Sequence, residues 1–358
     1  MQLKKTLYCK EGTSDKTYTL WIASAGDLYV VEAQWGRRGG PQTTGTKTPK
    51  PVTLEKAKEL YEKILNEKIA KGYHEGEEAP TYTKAQGKEM NLRPMLLTPD
   101  IEENIEKYFT NDVWYAQMKF NGKRLMIWSD KDGVYGFNKT GENCPIPQEL
   151  EKEFAKFYGI FDGELVGDVY HIFDMMANAN GKPLVGSPLA YRYDQLSDRI
   201  IDIDGCKHIQ VSPIEQDEER KRELYKQLKK LRKEGIVFKL APASYIPGRI
   251  DSLSKAKAVK IKFWAEVAAV VIDWTDKRSI EVGLRDGLEI IPVGKVTVPK
   301  KYDSQIKIGK PVRVKYLYAT DGKKLYQPRL DPTDDGSILA DQVMCDLISS
   351  LKYEGKDG

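Results

Sequence analysis

Near the N-terminus, "KTYTLWIA" and "DLYVVEAQW" place hydrophobic residues at every second position, which predicts two strands. A Gly- and Thr-rich stretch, expected as a loop, leads into "TLEKAKELYEKILNEKIAKGY". There Leu54, Ala57, Leu60, Tyr61, Ile64, Leu65 and Ile69 hold one apolar stripe at helical spacing, with Thr53 placed to cap the helix and Gly72 to end it. Residues 1–84 are therefore expected as a small sheet backed by one helix, followed by a polar linker, "HEGEEAPTYTKAQGKEMNLRP". Beyond Trp264 the pattern becomes "EVAAVVID", "SIEVGLRD", "LEIIPVGKVTV" and "PVRVKYLYAT", short period-2 strands that predict a small barrel or sandwich over 265–358. The dense charge run "EQDEERKRELYKQLKKLRKE" carries Leu224, Leu228 and Leu231 at helical spacing and predicts a solvated amphipathic helix. In "YAQMKFNGKRLMI" the Asn121-Gly122 pair by itself predicts a hairpin turn, with Lys119 an exposed edge residue.

Several strand-like stretches of the middle segment, residues 85–264, set charges among apolar residues, where a charge needs a reason. "FDGELV" puts Asp162 and Glu164 on one face, with Gly163 leaving room for close approach. "VYHIFDMM" buries Asp174, "KEGIVFKL" presents Glu234 and Lys239 at the two ends of a strand, and "AVKIKFW" aims Lys260 and Lys262 at one face.

Composition narrows the function classes. The 358 residues are 40% hydrophobic, enough for two or three cores. No apolar run is long enough to span a bilayer and the start lacks a signal-peptide pattern, so an intracellular, cytoplasmic protein without a membrane partner is expected. The four scattered cysteines form no C-x-x-C pair and the three histidines show no ligand spacing, which argues against structural zinc. A net charge of +4 does not by itself announce nucleic acid.

Trp35-Gly36-Arg37, Gly39 and the closing "KGY", set in the strand and helix pattern above, resemble a WGR domain, a module of poly(ADP-ribose) polymerases and some other nucleic-acid enzymes. The resemblance implies that Trp35 stacks and Arg37 meets phosphate at a DNA end or break.

The middle segment resembles the covalent nucleotidyltransferases, namely ATP-dependent DNA ligases, RNA ligases and capping enzymes. Lys119, Gly122 and Arg124 match the first motif, K-x-D-G-x-R, with Asn121 standing where Asp is usual. "NKTG" offers Lys139 for the usual Arg of the next motif; "FDGELV", "YHIFDMM", "EGIVFK" and "VKIKFW" follow in order, and "SYIPGR" is similar to a stretch common in DNA ligases. The fold implied is multidomain α+β: a WGR-like sheet plus helix, an ATP-grasp-like nucleotidyltransferase (adenylation) domain and a C-terminal OB-fold barrel.

By this resemblance Lys119 is the nucleophile toward the α-phosphorus of ATP and carries AMP, with Arg124, Lys260 and Lys262 as the neighbouring cations that favour its neutral amine. Arg124, Lys139, Glu164, Glu234, Lys260 and Lys262 are the other catalytic candidates. Glu164 and Glu234 organise Mg²⁺, with Mn²⁺ as a substitute; Glu164 also contacts ribose, Phe173 stacks on adenine, and Lys260 and Lys262 hold the α-phosphate. In "LYQPRLDPTDDG" Arg329 is retained toward nucleic acid or pyrophosphate, while Thr333 and Asp335 stand where Arg and Lys are often found. The expected substrate is nicked double-stranded nucleic acid, DNA first, joined by a monomeric enzyme. An RNA or mixed ligase and a non-catalytic DNA-end adaptor are the alternatives.

Overall fold

A computed structural model describes residues 3–11, 14–69, 73, 88–90, 92–199, 203, 205–275, 278–320 and 322–353. Gly72, His74 and most of the linker lie outside the described residues. The chain divides into two compact units: Met1–Pro99, Asn111–Glu218 and Val237–Val259 form the first; Asp100–Thr110, Glu219–Ile236 and Lys260–Gly358 form the second.

At the start of the first unit, strands Lys4–Glu11, Ser14–Ala25, Leu28–Arg37 and Gln42–Thr46 form an antiparallel sheet in chain order. The predicted period is realised: Tyr18, Leu20 and Ile22 alternate inward with Val31 and Ala33, and bury Ala57, Tyr61 and Leu65 of helix Leu54–Ile69. Thr53 Oγ1 stands 3.5 Å from the Lys56 amide at the helix start. The Thr-rich stretch expected as a loop is the fourth strand. Its threonines suit an edge strand, and Gly45 lies under Trp35, where a Cβ would come within 3.0 Å of the ring.

A six-stranded sheet follows in the order Asn143–Cys144, Gly133–Phe137, Lys123–Asp130, Gly159–Val166, Val169–Ala177 and Ile209–Val211, its last pair parallel. Its core is built from Leu125, Ile127, Phe161, Tyr170 and Ile172 with Phe154. Gly163 is required there, because a Cβ would meet His171 O at 2.5 Å and the Tyr170 ring at 2.6 Å.

The hairpin expected at Asn121-Gly122 does not form. Strand Trp114–Lys119 lies in another sheet, ordered Thr98–Asp100, Ala258–Lys262, Gly235–Leu240, Trp114–Lys119, whereas Lys123 opens a strand of the six-stranded sheet. Asn121-Gly122 is a corner between two sheets. The glycine serves close approach here: a Cβ would sit 2.4 Å from Leu165 O and 2.9 Å from Glu164 Cγ.

In the second unit, helix Glu218–Lys230 is amphipathic as expected, but its apolar face is not a leucine row. Lys221 is fully buried and donates to Tyr108 O at 3.0 Å, Tyr225 packs edge-on against Phe109, and Leu231 is exposed. Strands Ala265–Thr275, Ser279–Asp286, Glu289–Thr297, Pro311–Tyr316 and Arg329–Leu330 form one five-stranded sheet over a core that includes Val267, Val282, Val293 and Val314. Strand pairing among the described residues runs from Glu289–Thr297 at one edge to Arg329–Leu330 at the other, without a closing pair. The molecule is sheet-rich with few helices, and no described helix is long and apolar enough to cross a membrane.

Candidate nucleotide-binding site

Within the first unit Lys119, Arg124, Glu164 and Phe173, four of the residues singled out by motif, line one pocket. Met95, Leu97 and Val237 supply apolar wall; Gln117, Asp162, Asp174 and Lys239 add polar groups. Lys119 reaches this pocket from the last position of its strand, half-buried, with Nζ 3.4 Å from Phe120 O. Glu164 and Arg124 face each other across paired strands, and Gly122 fits against Glu164. The strand-end lysine and the glutamate of the neighbouring sheet are therefore set by one tight corner.

Beneath the pocket lies a buried ionic layer. Arg124 grips Asp162 through two parallel bonds, Nε to Oδ1 at 2.8 Å and an η-nitrogen to Oδ2 at 2.7 Å, and donates to Met95 O at 3.1 Å. Burial works against the Arg124 charge, yet Asp162, Tyr245 and Glu164 more than offset it and raise its pKa. Arg192 grips Asp174 in the same bidentate way at 2.8 and 2.9 Å, with both side chains 1% exposed. Such pairs are geometrically exacting, since losing one partner strands a buried charge. They hold Asp162 and Asp174 as supports, so those carboxylates are not open to solvent.

Lys239 is the third buried cation of the layer. Its Nζ donates to Phe173 O at 3.1 Å and stands 4.5 Å from the Phe173 ring centroid; the Arg124 guanidinium lies 4.5 Å from the same ring. Burial draws the Lys239 pKa down to about 8; Asp174 and Asp162 push it back up, while Arg124 and Arg192 lower it further. Gln117 is buried as well: its amide nitrogen donates to Ser212 O at 3.3 Å, and its Oε1 has no hydrogen-bond partner among the described residues. An unsatisfied buried acceptor in a pocket wall is costly unless a ligand completes it.

Glu234, Lys260 and Lys262 belong to the second unit. Glu234 is buried and its carboxylate meets Lys262 Nζ at 3.0 Å; Lys262 also donates to Gln327 Oε1 at 3.0 Å. Lys260 is half-buried on the same strand face as Lys262, as the alternation predicts. Arg329 stacks its guanidinium 3.9 Å from the Trp264 ring centroid. Thr333 and Asp335 build a local turn, with Thr333 Oγ1 donating to Asp335 and to Ser337 O, and the Ser337 amide donating back to Asp335 Oδ1 at 3.1 Å. The Thr333 hydroxyl holds the Asp335 carboxyl below its ordinary range. Among the described residues no group of three or more His, Cys, Asp or Glu is placed to hold a metal ion.

Lys139 is exposed in a turn organised by Asn138 Oδ1, which accepts from the Thr140 and Glu142 amides, and it is not among the pocket-lining residues. Trp35 stacks on Tyr18 with centroids 6.0 Å apart and carries Lys47 Nζ 3.7 Å from its ring centroid. Trp35, Arg37, Lys16, Tyr18, Lys68 and Tyr73 line a shallow surface hollow. Arg37 is exposed; burial raises the Cys144 pKa, and Lys123 and then Arg37 draw it back.

Residues 4–80 match the family model of the WGR domain. The N-terminal segment is a WGR domain. No curated protein sequence matches the chain. Among solved structures, one titled "Pmar-Lig_Pre." aligns with a TM-score of 0.54 at 18% identity over 67% of each chain. A structure from a study of Lig E DNA ligases aligns at 0.50 and 15% identity, over 66% of this chain and 97% of that one. A mycobacterial DNA ligase D complexed with ATP and MES aligns at 0.40 and 17%, over 74% and 99%. The first two likenesses show a fold shared with those structures.

Motif order alone missed five members of the buried layer as site components: Asp162, Asp174, Arg192, Lys239 and Tyr245. The signal was partly available, since Asp162, Asp174, Lys239 and Tyr245 sit inside quoted motifs, but Arg192 lies in helix Leu189–Ser197, where nothing in "LAYRYDQLS" distinguishes a buried arginine from a solvated one.

Proposed function

We propose that this protein is an ATP-dependent polynucleotide ligase, most specifically a DNA ligase that seals nicks bearing 5′-phosphate and 3′-hydroxyl ends. The observation that carries the reading is one pocket lined by Lys119, Arg124, Glu164 and Phe173, whose order in the sequence matches ligase motifs. The WGR domain and the ligase-core fold support a nucleic-acid substrate. The chain is read as three modules, residues 1–84, 85–264 and 265–358, the last an OB-type barrel.

In the proposed reaction the neutral Lys119 amine attacks the α-phosphorus of ATP; an N–P bond forms, the P–O bond to pyrophosphate breaks, and the lysine proton leaves to solvent. Phe173 provides the stacking platform for adenine. Gln117 Oε1, a buried acceptor without a partner, suits the 6-amino group of adenine and disfavours the 6-oxo group of guanine. AMP then passes to the 5′-phosphate of a nick, and the 3′-hydroxyl displaces it. Mg²⁺ would neutralise phosphate oxygens, held by Glu164 or Glu234 together with the nucleotide; magnesium commonly uses one or two carboxylates and substrate phosphates, so no three-carboxylate cluster is needed. Lys260 and Lys262 are proposed at the α-phosphate.

The deciding measurement is intact mass after incubation with ATP and Mg²⁺. An enzyme gains one AMP, labile to acid as a phosphoramidate; an adaptor that only binds DNA ends gains none. A panel of nicked duplexes with DNA or RNA on each side then sets the strand preference.

A further inference from the structure

Lys239 has no role in the proposed chemistry, yet it is 4% exposed at the wall of the nucleotide pocket. Its ammonium makes two contacts with one residue, a hydrogen bond to Phe173 O at 3.1 Å and a cation–π approach of 4.5 Å to the ring. The charges around it are spoken for: Asp174 is held by Arg192 and Asp162 by Arg124, each in a bidentate pair. Lys239 is thus the surplus positive charge of a buried layer, and it is spent on Phe173. A buried ammonium without its own carboxylate is expensive, which calls for a reason beyond packing.

We propose that Lys239 is a positioning residue that fixes Phe173 as the platform for the nucleotide base, and that its positive charge is required for that role. This rests on the reading of the pocket as an ATP site. The bond to the Phe173 carbonyl and the approach to its ring together restrain this residue, and preorganisation of this kind strengthens binding by removing an ordering cost. The charge also links binding to pH. The groups that face Lys239 are Asp174 and Asp162, which favour its protonated form, and Arg124 and Arg192, which oppose it. Burial brings its pKa down to about 8, so the ammonium is present at neutral pH and lost as pH rises through that value. An anionic nucleotide favours the protonated form, so binding should take up protons near pH 8 and weaken above it.

The test uses the full chain with α,β-methylene-ATP, which binds without transferring its nucleotide. Lys239→Met keeps length and removes charge; Lys239→Arg keeps charge at every accessible pH. Lys239→Met should weaken binding by about tenfold at pH 7, in line with a desolvated cation–π contact, and should abolish the weakening above pH 8. Lys239→Arg should bind nearly as wild type at pH 7 and stay flat through pH 9. A double-mutant cycle separates positioning from general packing: in a Phe173→Leu background, Lys239→Met should cost little further affinity. Equal affinity of wild type and Lys239→Met, or full additivity with Phe173→Leu, overturns the proposal. If α,β-methylene-ATP binds with this pattern but no AMP is ever transferred from ATP, the ligase reading fails and the Lys239 assignment stands.

Discussion

The Tyr245 hydroxyl donates to Asp162 Oδ2 at 2.6 Å and accepts the Met95 amide at 2.7 Å. One buried phenol thereby ties the "SYIPGR" stretch to the strand carrying Glu164 and to the segment preceding it. Burial, then the Asp162 charge, raise the Tyr245 pKa far above the usual phenol range, so it stays a donor. Tyr245→Phe removes the donor and leaves the Met95 amide unpaired, a loss of about 1–3 kcal/mol for a buried polar group. Urea midpoints should fall accordingly, and ATP affinity should drop with them because Asp162 anchors Arg124 under the pocket. An unchanged midpoint would mean that water or a backbone shift replaces the phenol.

Gly122→Ala tests the corner that replaces the expected hairpin. An Asn-Gly hairpin turn would hold this glycine at positive φ, but here it is not in the left-handed region, so alanine brings no backbone strain. At the corner its Cβ would press on Leu165 O and Glu164 Cγ, and backbone oxygen cannot yield as a side chain can. Self-adenylation should fall at least tenfold while the circular dichroism of the sheets persists. Wild-type adenylation by this variant would show that the two strands separate freely.

Lys119→Ala should abolish transfer of AMP to the protein and the joining of ordinary 5′-phosphate ends. It should still seal a nick supplied already adenylated, since that step needs no lysine nucleophile. Persistent labelling of the alanine variant would move the nucleophile elsewhere, with Lys239 the next buried amine in the pocket.

Much of this was legible in the sequence, and the gaps have a common cause. Period-2 alternation located the strands because burial on one face leaves a one-dimensional trace, and Thr53 and the apolar stripe located the first helix for the same reason. The four residues Lys119, Arg124, Glu164 and Phe173, singled out by motif order, line one pocket. What the sequence hid was pairing across distance. The Asn-Gly signal is local, whereas the corner at Gly122 depends on Leu165, forty-odd residues away. Lys221 reads as a solvated charge and is buried because Tyr108 O waits for it, while Arg192 reads the same way and is half of an ion pair with Asp174. Tertiary partners decide such residues, and no local pattern carries them.

Glu234→Gln separates charge from shape in the second unit. The carboxylate meets Lys262 at 3.0 Å, and Lys262 keeps Gln327 as a neutral partner when that charge is removed. If Glu234 helps hold Mg²⁺ during transfer, adenylation or sealing should fall by about two orders of magnitude, more steeply at limiting Mg²⁺, with little change in the urea midpoint. A loss of stability with an unchanged rate per folded molecule would make the Lys262 pair purely structural.

The WGR domain gives the last prediction its form. Trp35 has Tyr18 stacked against it and Lys47 near its ring, whereas Arg37 is exposed. Its charge is felt at Cys144 together with that of Lys123, which follows the Lys119 corner in sequence. Arg37 and Lys123 therefore offer positive charge to one neighbourhood, and a phosphate backbone lying there would meet both the WGR domain and the strand that follows the Lys119 corner. Arg37→Ala should weaken nicked-duplex binding across sequences and flatten the dependence of log affinity on log salt by about one counterion. Lys123→Ala should do the same, and the double variant should lose less than the sum if both serve one backbone segment. A shortened chain beginning near Lys84 should keep self-adenylation, because every residue proposed for that step lies beyond it, while its nick affinity falls. Equal nick affinity with and without the WGR domain would show that the domain serves another partner, and loss of self-adenylation in a folded shortened chain would show that the nucleotide pocket depends on the domain itself.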